Sequence, residues 1–234
     1  MDNILEVSQI KTYIGQYNIL DGVSVEVPRG SITVLLGRNG AGKTTTLKSI
    51  LGLTPPRGGQ ITFNGKVIQG LPTYKIASLG IGYVPEHRAI FSDLSVEENL
   101  KLAERNKGDL AAKEDLIFGI FPDLKRFLNF PGGNLSGGQQ QMLAIARALV
   151  PDNNLLLIDE PSEGLAPVLI EQMMEAIKNL SIDTTILLVE QNFIVASHLA
   201  TSYVIIEEGK SVKAGLTADL VEDTETIRRY LEAA

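Results

Sequence analysis

Ser31-Ile32-Thr33-Val34-Leu35-Leu36-Gly37-Arg38-Asn39-Gly40-Ala41-Gly42-Lys43-Thr44-Thr45 is the stretch on which the reading of the fold turns. Ser31–Leu36 is a short, nearly continuous apolar run, the pattern of a central strand buried on both faces. It leads into Gly37–Thr44, which fits G-x-x-x-x-G-K-[ST]. A helix is predicted from Lys43 to Leu51, stopped by Gly52 and the Pro55-Pro56 pair. Between strand and helix, the glycines let backbone N–H groups curl around phosphate oxygens, and the helix N-terminus adds partial positive charge. Lys43 is placed to reach β- and γ-phosphates, and Thr44 offers a hydroxyl to Mg²⁺.

Outward from this loop the chain alternates strands with helices. Ile4–Ile10 and Val23–Val27 alternate apolar and polar residues, as half-buried strands do. Further strands are predicted at Gln60–Phe63, Ile81–Val84, Leu155–Ile158 and Thr185–Val189, with a hairpin of Tyr203–Glu207 and Ser211–Ala214. Helices are predicted over Pro167–Leu180, Phe193–Leu199 and roughly Thr224–Glu232. From Val96 to Leu149 helical periodicity dominates, interrupted by Pro122, Pro131 and Gly132-Gly133. The pattern predicts an α/β fold: a mostly parallel core sheet, an N-terminal antiparallel β portion and an inserted helical subdomain. Residues 1–85 and 151–234 would form the catalytic core and 86–150 the helical insertion, within one domain of 234 residues.

Composition narrows the function classes. Hydrophobic residues make up 44% and charged residues 21%, the balance of a globular chain with a sizeable core. There is no cysteine, so disulfides and thiolate metal sites are excluded. The net charge of −7 and the lack of a Lys/Arg cluster argue against nucleic acid as a partner. No apolar run approaches the roughly 18–20 residues of a bilayer span. Met1-Asp2-Asn3 is not the basic start of a secretory signal, so any membrane association is expected to come through a partner protein.

Leu155–Ile158 delivers Asp159 and Glu160 at a strand's C-terminal end, where α/β sheets place ligands. Asp159 is the natural partner for Mg²⁺ and its water shell, and Glu160 suits a general base that polarises attacking water. Asn134-Leu135-Ser136-Gly137-Gly138-Gln139 precedes a helix through Met142, Ile145 and Leu149. Ser136, Gly137, Gly138 and Gln139 at that helix start make a second anion-binding surface. One chain needs only one γ-phosphate cradle, so a second implies two chains facing head-to-tail with the nucleotide between them.

The Leu-Ser-Gly-Gly-Gln core, following the phosphate loop and shortly preceding the Asp159 strand, resembles the signature of ATP-binding cassette (ABC) ATPases. The resemblance runs from Leu5 to about Gly215. It implies an ATP hydrolase with ATP and Mg²⁺ as cofactors, held by Gly37, Arg38, Asn39, Gly40, Ala41, Gly42, Lys43, Thr44 and Thr45. It also implies transmembrane permease subunits, a solute-binding protein, and a homodimer or a heterodimer with a second ATPase at the cytoplasmic face of the membrane. By resemblance an aromatic residue upstream of the loop stacks on adenine: Tyr13 is nearest in register, Ile14 competes for the slot, and Tyr17 is the second choice.

Departures from the general family pattern narrow the resemblance. Glu86 follows Tyr-Val-Pro where most members have Gln, Gln191 stands at the switch position usually held by His, and Ala166 replaces an Asp. Together, Pro-Glu-x-Arg, Glu-Pro-Ser-x-Gly-Leu-Ala-Pro and Val-Glu-Gln-Asn resemble the shorter ATPase of branched-chain amino-acid importers and the related amide and urea importers. Gln191 would then meet the γ-phosphate as a neutral donor, since it cannot switch protonation as His does. Glu86 would set a carboxylate near phosphate and metal, ligating Mg²⁺ or slowing closure, while His87 reads as a surface residue. A non-transport ABC ATPase and a nucleotide-binding regulatory subunit are the other readings.

Overall fold

The structure, a computed structural model, describes residues 2–231 and opens on two long paired strands, β1 (Asn3–Ile14) and β2 (Tyr17–Pro28). Next come β3 (Ile32–Leu36), α1 (Lys43–Ile50), β4 (Gly58–Phe63), β5 (Lys66–Val67), α2 (Thr73–Ser78) and β6 (Ile81–Val84). A helical stretch follows: α3 (Val96–Lys101), α4 (Asp109–Ile120), α5 (Pro122–Arg126) and α6 (Gly137–Leu149). The chain then alternates β7 (Leu155–Asp159), α7 (Pro167–Leu180), β8 (Thr185–Val189), α8 (Phe193–Leu199) and β9 (Ser202–Glu207). It closes with β10 (Lys210–Leu216), α9 (Thr217–Glu222) and α10 (Thr224–Tyr230).

These strands form two sheets. The antiparallel one runs β2-β1-β4-β5 and the larger runs β10-β9-β3-β8-β7-β6, parallel throughout except for β10. Every residue of β3, β7 and β8 is buried, which explains why they read as continuous apolar runs rather than alternating ones. Successive residues still point to opposite faces. Val34, Leu156, Ile158, Ile186 and Leu188 join a core with α6, α7 and α8. Leu35, Leu155, Leu157, Leu187 and Val189 join a second core with α1 and the antiparallel sheet. Burying each such aliphatic side chain contributes about 1.5–3 kcal/mol, so the central sheet is held firmly from both sides.

Several boundaries differ from the sequence expectation, for physical reasons. β1 and β2 extend well beyond Ile4–Ile10 and Val23–Val27 because register shifts, one between Val7 and Ile10, break the two-residue alternation. α2 and α9, at six residues each, are too short to show periodicity. The helical stretch is segmented more finely than expected. Pro122 opens α5 at a first-turn position, where its missing N–H costs nothing, rather than merely interrupting a helix. The predicted last helix ends at Tyr230, and Glu232 lies outside the described residues.

The segment leaving β6 is fixed by one buried amide. Asn99, fully buried in α3, accepts from the Phe91 N–H at 2.9 Å. Its Nδ2 donates to the carbonyls of Phe91, Leu94 and Ser95 at 2.9, 3.1 and 3.0 Å. Substituting Asn99→Leu should leave that backbone unpaired and lower unfolding free energy by about 1–3 kcal/mol or more, read from the urea midpoint at unchanged slope.

Candidate functional site

The loop between β3 and α1 owes its course to glycine. Gly37 has φ 147°, and a Cβ there would meet the Ile206 carbonyl oxygen at 2.2 Å. Gly40, at φ 79°, borders open space and leaves backbone accessible in the cleft. Lys43 turns back over this loop: its Nζ donates to the carbonyls of Gly37 at 2.9 Å and Arg38 at 3.2 Å, and pairs with Glu160 Oε1 at 3.1 Å. The side chains of Lys43 and Glu160 are only 3% and 12% exposed, so water screens the pair little.

Glu160 directly follows β7 in a left-handed conformation, φ 44°, which costs a non-glycine residue about 1–3 kcal/mol. Its N–H is held by the Val189 carbonyl of β8 at 2.9 Å. One residue earlier, Asp159 is wholly buried, accepting from Thr44 Oγ1 at 3.0 Å and from the Tyr83 hydroxyl at 3.3 Å. Burial raises the Asp159 carboxyl above its ordinary value against those two hydrogen bonds, helped by the charges of Glu160 and Glu86. Burial likewise pushes the Tyr83 phenol well up, so it stays a donor.

A cleft of about 400 Å³ is lined by Asn39, Gly40, Lys43, Thr44, Glu86 and Glu160, among others. Glu86 enters it from the end of β6, with its carboxylate 3.8 Å from His87 Nδ1, and His87 is exposed. Gln191 is placed differently. It lines an adjoining pocket of about 270 Å³ with Ser162, Glu190 and Asn192, and Glu160 and Glu163 border both spaces. Tyr13 is not brought to the cleft: the Arg57 guanidinium covers its ring at 4.8 Å, and Ile14 and Ile19 line the wall instead. The strand's alternation explains this, since neighbours point to opposite faces. Tyr17 is 67% exposed at the start of β2.

Ser136, Gly137, Gly138 and Gln139 also lie away from that cleft. Ser136 caps α6 in a reciprocal box: its Oγ accepts from Gln139 N–H at 3.3 Å, and its N–H donates to Gln139 Oε1 at 2.9 Å. Ser136 and Gly137 are exposed, whereas Gly138 is buried where a Cβ would strike Leu169 at 2.4 Å. The capped helix start therefore faces out of the chain.

The oxygens of Thr44 and Asp159 suit Mg²⁺, a hard cation. Among the described residues no cluster of three or more His, Cys, Asp or Glu could hold a metal ion.

With this geometry in view, the comparisons decide the family. The model of the ABC transporter family matches residues 20–163. The chain belongs to that family. Its members' ATP-binding domains are ATP hydrolases, and the α/β fold class and the family resemblance read from the sequence stand. A high-affinity branched-chain amino acid transport ATP-binding protein, BraG of Pseudomonas aeruginosa, is 41% identical over 231 residues, covering 97% of this chain and 99% of that one. A probable branched-chain amino acid transport ATP-binding protein, LivF of Archaeoglobus fulgidus, is 39% identical over 211 residues, covering 88% and 89%. The crystal structure of a nucleotide-free ATP-binding cassette from an ABC transporter superposes with TM-score 0.86 over 97% of this chain and 98% of that one. At 24% identity it speaks for the fold alone. Among the described residues no helix is long and apolar enough to cross a membrane.

Sequence reasoning missed three polar residues here. Tyr83 falls in a predicted strand and in the Tyr-Val-Pro run, neither of which gives its side chain a role, yet its hydroxyl reaches Asp159. Glu190 and Ser162 were read as markers of resemblance, yet they bond at 2.8 Å. Burial raises the Glu190 carboxyl from 4.5 to about 7, overcoming the hydrogen bonds from Ser162 and Asn192. Between those values the folded chain holds a proton that the unfolded chain has released, so stability should decline as pH rises from about 4.5 to about 7. Thermal unfolding across that window should show the decline, and Glu190→Gln should flatten it.

Proposed function

We propose that this chain is the ATP-binding and hydrolysing subunit of an importer for branched-chain or other hydrophobic amino acids. The observation that carries the hydrolytic part is the convergence of Lys43 on Glu160 at 3.1 Å beside Thr44 on Asp159 at 3.0 Å. The names of the relatives at 41% and 39% identity support the transport part and the solute class. On this reading it acts at the cytoplasmic face of the membrane through permease subunits, alongside a solute-binding protein.

In the mechanism we propose, the backbone of Gly37–Thr45 takes the triphosphate and Lys43 exchanges its loop carbonyls for β- and γ-phosphate oxygens. Lys43 also holds Glu160, so drawing its ammonium to phosphate frees that carboxylate to accept a proton from the attacking water. Mg²⁺, held through Thr44 and Asp159, would neutralise charge on the β- and γ-oxygens. Ser136–Gln139 of a facing subunit, identical or a second ATPase, closes on the γ-phosphate; its outward-facing cap supports this. Gln191 meets the γ-phosphate as a neutral donor. Ile14 takes the adenine-side position considered for Tyr13. Residues 86–150 act as a helical subdomain that passes opening and closing to the permease.

Glu160→Gln should slow Mg²⁺-dependent phosphate release by about 10²–10⁴-fold while preserving nucleotide binding. Wild-type turnover in that variant would place the catalytic carboxylate elsewhere. Glu86→Ala should depress solute uptake by the full complex in vesicles more than it depresses phosphate release by the purified chain. A proportional fall in both would make Glu86 part of the hydrolytic site without a coupling role.

A further inference from the structure

Two residues with assigned roles, Glu160 and Gln191, sit on separate loops, after β7 and after β8. A side chain with no assigned role joins those loops. Glu190 is 1% exposed. Its Oε1 accepts from the Ser162 N–H at 3.2 Å, and its Oε2 accepts from Ser162 Oγ at 2.8 Å and from the Asn192 N–H at 3.3 Å. Its own N–H donates to the Leu35 carbonyl of β3 at 3.2 Å, which anchors it to the strand feeding the phosphate loop.

We infer that Glu190 is a positioning residue whose buried carboxylate fixes where Glu160 and Gln191 point. Glu160 is bracketed by two ties to the end of β8 and the residue after it: its own N–H to Val189, and Ser162 to Glu190. A left-handed non-glycine residue persists only where its surroundings over-determine it, and those ties supply the determination. Gln191 is bracketed likewise. Glu190 precedes it, and Asn192 follows, held by the Glu190 carboxylate and capping α8 by accepting from the Ile194 and Val195 N–H groups at 3.0 and 3.3 Å. The single carboxylate thus sets both edges of the pocket that Glu160 and Gln191 share.

Ionised, above about pH 7, the carboxylate offers an acceptor at both oxygens. Two backbone N–H groups approach from opposite oxygens, and a glutamine has one acceptor oxygen in either orientation of its amide. Glu190→Gln must therefore leave one N–H facing an amide N–H. Nucleotide contacts proposed for Gly37–Thr45 involve neither Ser162 nor Asn192, so affinity should be spared while the geometry of attack is not.

This inference rests on the proposed hydrolytic role of Glu160, and the test separates the two. Phosphate release at saturating ATP and Mg²⁺, and ATP affinity, are measured at pH 8 for the wild type, Glu190→Gln, Ser162→Ala, Ser162→Thr, the Glu190→Gln/Ser162→Ala double variant and Glu160→Gln. Loss of positioning should cut kcat on the order of tenfold or more, with ATP affinity within about twofold. Ser162→Thr, which keeps the hydroxyl, should stay near wild type, and the double variant should fall little below Glu190→Gln. If Glu160→Gln is inactive but Glu190→Gln and Ser162→Ala keep wild-type kcat, the positioning role is wrong. If affinity falls in step with kcat, Glu190 supports the nucleotide pocket as a whole and the inference is overturned. Full turnover by Glu160→Gln overturns the hydrolytic reading and this inference with it.

Discussion

A buried ammonium constrains everything around it. Lys43 is 4% exposed, and removing its charge from water costs several kcal/mol unless acceptors surround it. The Gly37 and Arg38 carbonyls and the Glu160 carboxylate are those acceptors. Turning two carbonyls inward directs the N–H groups across the same trans peptides the opposite way. Loop curvature, lysine burial and the end of β7 are therefore one arrangement: moving any of them exposes an unpaired charge.

The six-stranded sheet makes that arrangement affordable in one sense only: it is rigid. β3, β7 and β8 are buried along their whole length, with apolar side chains committed to cores on both faces. Their C-terminal ends are consequently fixed relative to one another. Polar groups appear where the apolar runs stop, and the loops there are stitched across strands by Glu160 to Val189, Ser162 to Glu190 and Glu190 to Leu35. The sheet carries the apolar packing, while the polar groups of the candidate site occupy a rim one or two residues deep.

Much of this was legible because the relevant signals are local. Ser31–Thr45 announces strand, glycine turn and helix within fifteen consecutive positions, and Leu155–Glu160 announces a buried strand ending in two acids. The glycine loop between β3 and α1, β7, α7, β8 and α8 follow from such runs. What escaped depends on side-chain direction or on contacts between distant residues. Tyr13 and Ile14 are adjacent in sequence and opposite in space, so register alone does not choose between them. Glu190 and Tyr83 look like ordinary strand-end residues until Ser162 and Asp159, 28 and 76 positions away, are brought beside them. The long β1–β2 pair was under-read because its bulges erase the alternation that identifies strands.

On the proposed function, Lys43 is held by the loop and by Glu160 to engage phosphate rather than to hold the fold together. Calorimetric titration of ATP into folded Lys43→Ala tests it most directly, with circular dichroism confirming that the sheet and helices are intact. A native spectrum with loss of high-affinity ATP binding is the expected result. Wild-type affinity in the folded variant would contradict it.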